Sequence, residues 1–178
     1  MSDGAQVVRS GGPADQRAVL GMIDSAVEWL AARGRSGQWG EDSWTGNPTR
    51  EVRVSRLLAD CESSVCEVGG TPAGALMLAD RAPDWIPPVD EPECYVRMLV
   101  TDRRFAGCGI GARLLRLAQA QTARRGRRLL RLDCWAGADG ALVSYYESQG
   151  FTRTVRFDMR DWPGQVLAMR VDPDRQSQ

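Results

Sequence analysis

The chain has 178 residues, 43% of them hydrophobic and 26% charged; 23 acidic side chains balance 23 basic ones, every basic one is arginine, and histidine is absent. That size and composition favour one globular domain with a single large core, expected over residues 5–173 with flexible tails at 1–4 and 174–178. Without histidine or lysine, a serine-hydrolase triad, a zinc-protease helix, a Schiff-base enzyme and a P-loop nucleotidase are all excluded, and zero net charge gives no broad field for nucleic acid or an acidic membrane.

Residues 5–9 read as a strand, and Asp15 opens a helix reaching about Arg33, whose Val19, Leu20, Ile23, Val27 and Leu30 form one apolar face ended by Gly34 and Gly37. Residues 36–48 make a loop carrying Trp39 and Trp44. A second helix starts near Pro48, with Val52, Leu57 and Leu58 inward. Strands "SVCEVG" and "AGALMLA" form a hairpin turning at "GTP". The stretch 80–93, rich in proline and acid, is an irregular loop. Strand "CYVRMLV" leads through "TDRRFAGCGIG" into a helix from about Gly109 to Arg125 with Leu114, Leu115, Leu117 and Ala118 as its apolar positions. "RLLRLDCW" is a strand, "ADGALVSYYESQG" a helix, and "FTRTVRFDM" and "QVLAMRV" are strands turning at Pro163-Gly164. The order β α α β β β α β α β β belongs to an α/β or α+β domain.

The longest apolar runs fall far short of the ~20 residues a membrane helix needs, and the N-terminus carries no apolar signal region, so a cytoplasmic location without membrane association is expected. The five cysteines, Cys61, Cys66, Cys94, Cys108 and Cys134, lack C-x-x-C spacing, which points to free, mostly buried thiols and no metal site. The arginines of "ARRGRRLLR" sit at a helix C-terminus, where they complement its dipole; with no interleaved aromatics they are not read as a nucleic-acid patch.

The chemical signal is Gly107-Cys108-Gly109-Ile110-Gly111-Ala112, between a strand and a helix. Glycines allow close backbone approach, and the first helical N–H groups point at whatever lies there, which makes an anion site suited to a diphosphate. Gly107, Gly109 and Ala112 also fit the dinucleotide pattern G-x-G-x-x-A, with Asp133 in the place of a ribose-binding acid; only 45 residues follow Asp133, too few for the usual further βα units.

"AGCGIGARLL" resembles the signature loop of the GCN5-related N-acetyltransferase (GNAT) family, Q/R-x-x-G-x-G/A followed by x-x-L-L. "SYYESQGF" is similar to the family's aromatic-Tyr-Glu-x-x-Gly-Phe element, and "YVRMLVTDRRFAG" to its fourth strand and connector; "LRLDCWAGADGALVSYYESQGF" and "EWLAARGRSGQWG" are most like actinobacterial members. The resemblance implies the GNAT fold, a mixed twisted sheet of about six to seven strands flanked by about four helices, and an enzyme moving acetyl from acetyl-CoA directly to a primary amine of a small molecule or peptide. A homodimer is common in such a family.

The resemblance also implies roles. The cofactor would meet the backbone of Leu99, Val100 and Thr101, the loop Ala106, Gly107, Cys108, Gly109, Ile110, Gly111 and Ala112, and the side chains of Asp139 and Tyr146. Ala106 stands where the family carries Gln or Arg, with Arg104 nearby as an alternative charge. Tyr146 is the expected general acid, since a phenol near pKa ~10 stays protonated and can donate to a thiolate. Glu93 is the first candidate for general base, with Glu91 and Asp133 behind it. Trp39, Trp44 and Trp85, with the acidic loop, are candidate acceptor contacts. A non-catalytic acyl-CoA-binding module and a Rossmann-type oxidoreductase are the alternatives.

Overall fold

The computed structural model describes residues 4–173, so the expected tail at 174–178 and most of that at 1–4 lie outside the described residues. Seven strands and four helices follow the chain as β1 (Gln6–Ser10), α1 (Gln16–Ala31), α2 (Pro48–Asp60), β2 (Glu62–Val68), β3 (Thr71–Ala79), β4 (Glu93–Thr101), α3 (Ile110–Arg124), β5 (Leu129–Trp135), α4 (Ala141–Ser148), β6 (Thr152–Met159) and β7 (Trp162–Arg170). The strands form one mixed sheet in the order β1-β2-β3-β4-β5-β7-β6. The described residues form two compact units: residues up to Leu78 together with Met98–Leu114, and Ala79–Arg97 together with residues from Leu115 on. No helix among the described residues is long and apolar enough to cross a membrane.

In the first unit β1, β2 and β3 are joined by antiparallel ladders. Val19, Leu20, Ile23 and Val27 of α1 and Val54, Leu57 and Leu58 of α2 bury against Ala75 and Met77 of β3 and Met98 and Val100 of β4. Val54 takes the inward place expected of Val52, which is 48% exposed: it lies three residues before Leu57, on the same helical face. Strand side chains alternate, so Gly74 faces the other way, where an added Cβ would lie 2.5 Å from Ile110 Cγ2 and 3.0 Å from Leu114 Cδ1 of α3. α1 and α2 thus cover one face of β3, and the start of α3 lies against the other through the gap glycine leaves.

Both hairpin turns are tighter than the residue pattern implied. Val68 pairs with Thr71, leaving Gly69 and Gly70 as a two-residue turn with φ of 57° and 80°, the left-handed pair such turns require. Thr71 and Pro72 belong to β3, and a register shift at Cys66/Glu67 accommodates the proline. The last hairpin turns at Arg160-Asp161, φ 47° and 65°, and not at Pro163-Gly164, which lie inside β7. Gly164 is kept bare by its cross-strand neighbour: a Cβ there would lie 2.2 Å from Phe157 Cζ.

In the second unit β4 and β5 are parallel over Glu93↔Leu129 to Val96↔Leu132, and β5, β7 and β6 are antiparallel. The arginines after α3 are spent on structure. Arg125 and Arg127 pair with Asp80 at 2.7 and 3.2 Å, Arg127 donates to the Glu93 carbonyl, and Arg131 pairs with the Glu93 carboxylate.

Candidate functional site

In the first unit β4 delivers the chain to the glycine-rich turn before α3. Its C-terminal residues alternate, with Met98 and Val100 buried and Leu99 and Thr101 half-buried. Asp102 then ends the strand as an N-cap: its Oδ1 accepts from Arg104 N at 2.8 Å, starting a 3-10 turn at Arg103–Phe105. Burial alone would push this carboxyl up, but the Arg104 guanidinium and N–H outweigh it and hold it below the usual range. Arg104 is therefore bound to Asp102, 2.6 Å away, although its side chain is otherwise exposed. Ala106 N donates to Arg103 O at 3.2 Å, and its methyl supplies no polar atom where the family pattern has Gln or Arg.

Gly107 and Gly109 have φ of 82° and 72°, with open space where a Cβ would stand. Exposed Cys108 lies between them, and Gln6 Nε2 of β1 clamps its carbonyl at 2.7 Å. Arg113 N donates to Gly109 O at 3.0 Å; the N–H groups of Ile110, Gly111 and Ala112 precede it, in the first turn, where helix geometry provides no acceptor. Left-handed glycines followed by first-turn N–H groups, which helix geometry leaves without an intrahelical acceptor, have the character of an anion cradle. Gln6, Gly74 and Asp102 complete it; of these only Gly74, a glycine inside a strand, left a readable signal.

The second unit holds the titratable groups. Tyr146 on α4 is buried, its ring edge-on to Tyr145 and Phe151 at 5.3 and 6.1 Å. Burial foremost, then the nearness of Cys134, Tyr145 and Asp133, pushes its phenol well above the ordinary tyrosine value. On β5, Asp133 Oδ1 accepts a 2.6 Å hydrogen bond from Tyr95, a fully buried phenol that burial and the Asp133 charge likewise push up. Burial, with Asp133 adding to it, pushes the Cys134 thiol up to about 12. Asp139 Oδ1 accepts from Ala141 N at 3.1 Å, so it also caps the start of α4.

Glu93 does not have the surroundings of a general base. Its carboxylate is 6% exposed and bidentate to Arg131, at 2.5 and 3.0 Å, and it takes the Ala82 N–H at 2.9 Å as well. Its oxygens are committed to holding β4, β5 and the 80–93 loop in place. Glu91 is paired with Arg170 at 2.7 Å. Asp80, Glu91 and Glu93, three of the five acids in the stretch 80–93, are thus bound to arginines, which leaves the loop with less charge to draw a cation than its composition implies.

The tryptophans separate. Trp44 is 4% exposed and packs in the α1–α2 core, its Nε1 donating to Trp39 O and its N–H received by Asp24, so it is a structural anchor rather than an acceptor contact. Trp39 lies edge-on to it at 5.3 Å, half-buried. Trp85, half exposed, stacks with Arg97 at 5.7 Å.

The model of the Acetyltransferase (GNAT) family matches residues 24–151. The chain belongs to the GNAT family. The Bacillus subtilis (strain 168) protein YesJ, described as an uncharacterized N-acetyltransferase, is 30% identical over 142 residues, 77% of this chain and 76% of that protein. A GNAT-family acetyltransferase structure from Listeria monocytogenes 4b F2365 superposes with TM-score 0.68 at 21% identity, covering 93% of this chain and 95% of that one. The Salmonella typhimurium protein yncA, solved with its cofactor acetyl-CoA, superposes with TM-score 0.63 at 18% identity over 94% and 95%. The mixed seven-stranded sheet is the GNAT fold, so the glycine pattern of this GNAT chain is not a Rossmann fingerprint.

Proposed function

We propose that this GNAT acetyltransferase moves the acetyl group of acetyl-CoA directly to a primary amine of a small molecule or peptide, with Tyr146 as proton donor and Asp133 as the carboxylate that receives the amine. The donor is acetyl-CoA, which when bound supplies an activated thioester carbonyl. The chain holds its diphosphate through the N–H groups between Gly107 and Ala112 and accepts its arm along the backbone of Leu99, Val100 and Thr101. A backbone N–H at Leu99 or Val100 steadies negative charge developing on the carbonyl oxygen, worth roughly 3 kcal/mol in comparable sites.

The reading is carried by the burial of the Tyr146 phenol in the same unit as the Asp133 carboxylate, whose charge adds to the upward shift that burial causes. Burial pushes the phenol above its ordinary value, which favours the protonated form that a donor to a leaving thiolate needs. Asp133, oriented by Tyr95, is a carboxylate beside it on β5 and replaces Glu93 as the base. The raised Cys134 thiol supports direct transfer, since a thiol titrating near 12 supplies almost no thiolate for an acetyl-cysteine intermediate.

Tyr146→Phe keeps the ring and removes the proton. Its kcat is expected to fall about 10²-fold while the acetyl-CoA Kd, read by calorimetry, changes less than about twofold. An unchanged kcat would remove Tyr146 from the chemistry.

A further inference from the structure

Near the C-terminal end of α1, two arginines converge on one tryptophan in the first unit. The Arg33 guanidinium lies 4.1 Å from the Trp29 ring centroid and that of Arg103 lies 3.9 Å from it. Arg103 is brought there by the 3-10 turn after β4, where its N–H donates to Ser25 Oγ on α1 at 3.1 Å. Arg33 Nη1 donates to Trp29 O at 3.2 Å. Stacking on indole satisfies a guanidinium's face but none of its in-plane N–H groups. Arg103 Nε is buried with no acceptor. Among the described residues no carboxylate pairs with either arginine, whereas Arg104, Arg125 and Arg131 each have one. Burial, and after it the charge of Arg33, pushes the Arg103 guanidinium down. Two like charges and an orphaned donor raise the energy of the empty arrangement, and an anion offsets both costs.

The position of the cluster bears on which anion it takes. α1 covers one face of β3, the face lined by Ala75 and Met77, whereas the glycine loop opens α3, which lies against the opposite face at Gly74. The arginines therefore belong to the α1 side and not to the diphosphate cradle. We propose that Trp29, Arg33 and Arg103 form an anion site of their own, which takes a carboxylate or phosphate ligand other than the acetyl-CoA diphosphate.

The test is calorimetric titration of inorganic phosphate, and separately of acetyl-CoA, into wild type, Arg33→Gln and Arg103→Gln. Phosphate is expected to bind wild type and to bind each variant about tenfold more weakly, with acetyl-CoA affinity equal in all three. Equal phosphate affinity in the three proteins overturns the proposal. Parallel weakening of acetyl-CoA overturns it too, by assigning the anion to the donor. Arginine-dependent phosphate binding without turnover of any amine would uphold the anion site and sink only the transfer reading. Arg33 is exposed, so Arg33→Gln keeps the test readable if Arg103→Gln does not fold.

Discussion

At residue scale the two candidate bases are separable by experiment. Asp133→Asn should lower kcat/KM by about 10²-fold with the melting temperature nearly kept, because Tyr95 O–H can still donate to the amide oxygen. Glu93→Gln should instead unfold the protein earlier: it leaves Arg131 buried without its counter-charge, a loss on the order of 3–5 kcal/mol, read as a lower denaturation midpoint. The reverse pattern would restore Glu93 as the base. The pH profile follows from the Tyr146 shift. A raised phenol pKa keeps the proton on the oxygen as pH rises, so kcat/KM should climb as the acceptor amine deprotonates, with no descending limb from Tyr146 up to about pH 10. A decline centred near pH 8 that disappears in Tyr146→Phe would contradict that assignment.

At element scale the cradle depends on packing behind it. Gly74→Ala forces a methyl to 2.5 Å from Ile110 Cγ2, so the first turn of α3 must shift; a loss of about 1–3 kcal/mol is expected, together with a raised KM for acetyl-CoA. Asp102 links this element to pH. Its folded pKa is depressed, so its stabilising contribution is present above the unfolded value of about 3.9 and is lost as pH falls through the lower folded value. Asp102→Asn should therefore flatten the acid limb of stability against pH in thermal melts. Element types and order were legible because apolar periodicity and glycine punctuation are local signals. The two hairpin turns were not, because Pro72 and Pro163 look like turn residues until cross-strand pairing shows a bulge absorbing one and Phe157 covering the glycine beside the other. The loop Gly107–Ala112 and Tyr146 could be picked out from short motifs. Glu93's partner could not: Arg131 is 38 residues away in sequence, and only the β4–β5 register brings them together.

At the scale of the whole molecule, the absence of lysine and histidine narrows the chemistry to backbone N–H groups, a phenol, a carboxylate and arginines. It also means that no side chain of this protein is an amine acceptor, so any acetylated amine other than the N-terminus comes from another molecule. The central claim, acetyl transfer from acetyl-CoA to an external amine, is tested most directly by following free thiol release from acetyl-CoA across a panel of amines. Amine-dependent release is expected, one thiol for each acetylated product, lost in Tyr146→Phe. Tight acetyl-CoA binding with no release above hydrolysis for any amine would contradict it and favour an acyl-CoA-binding module.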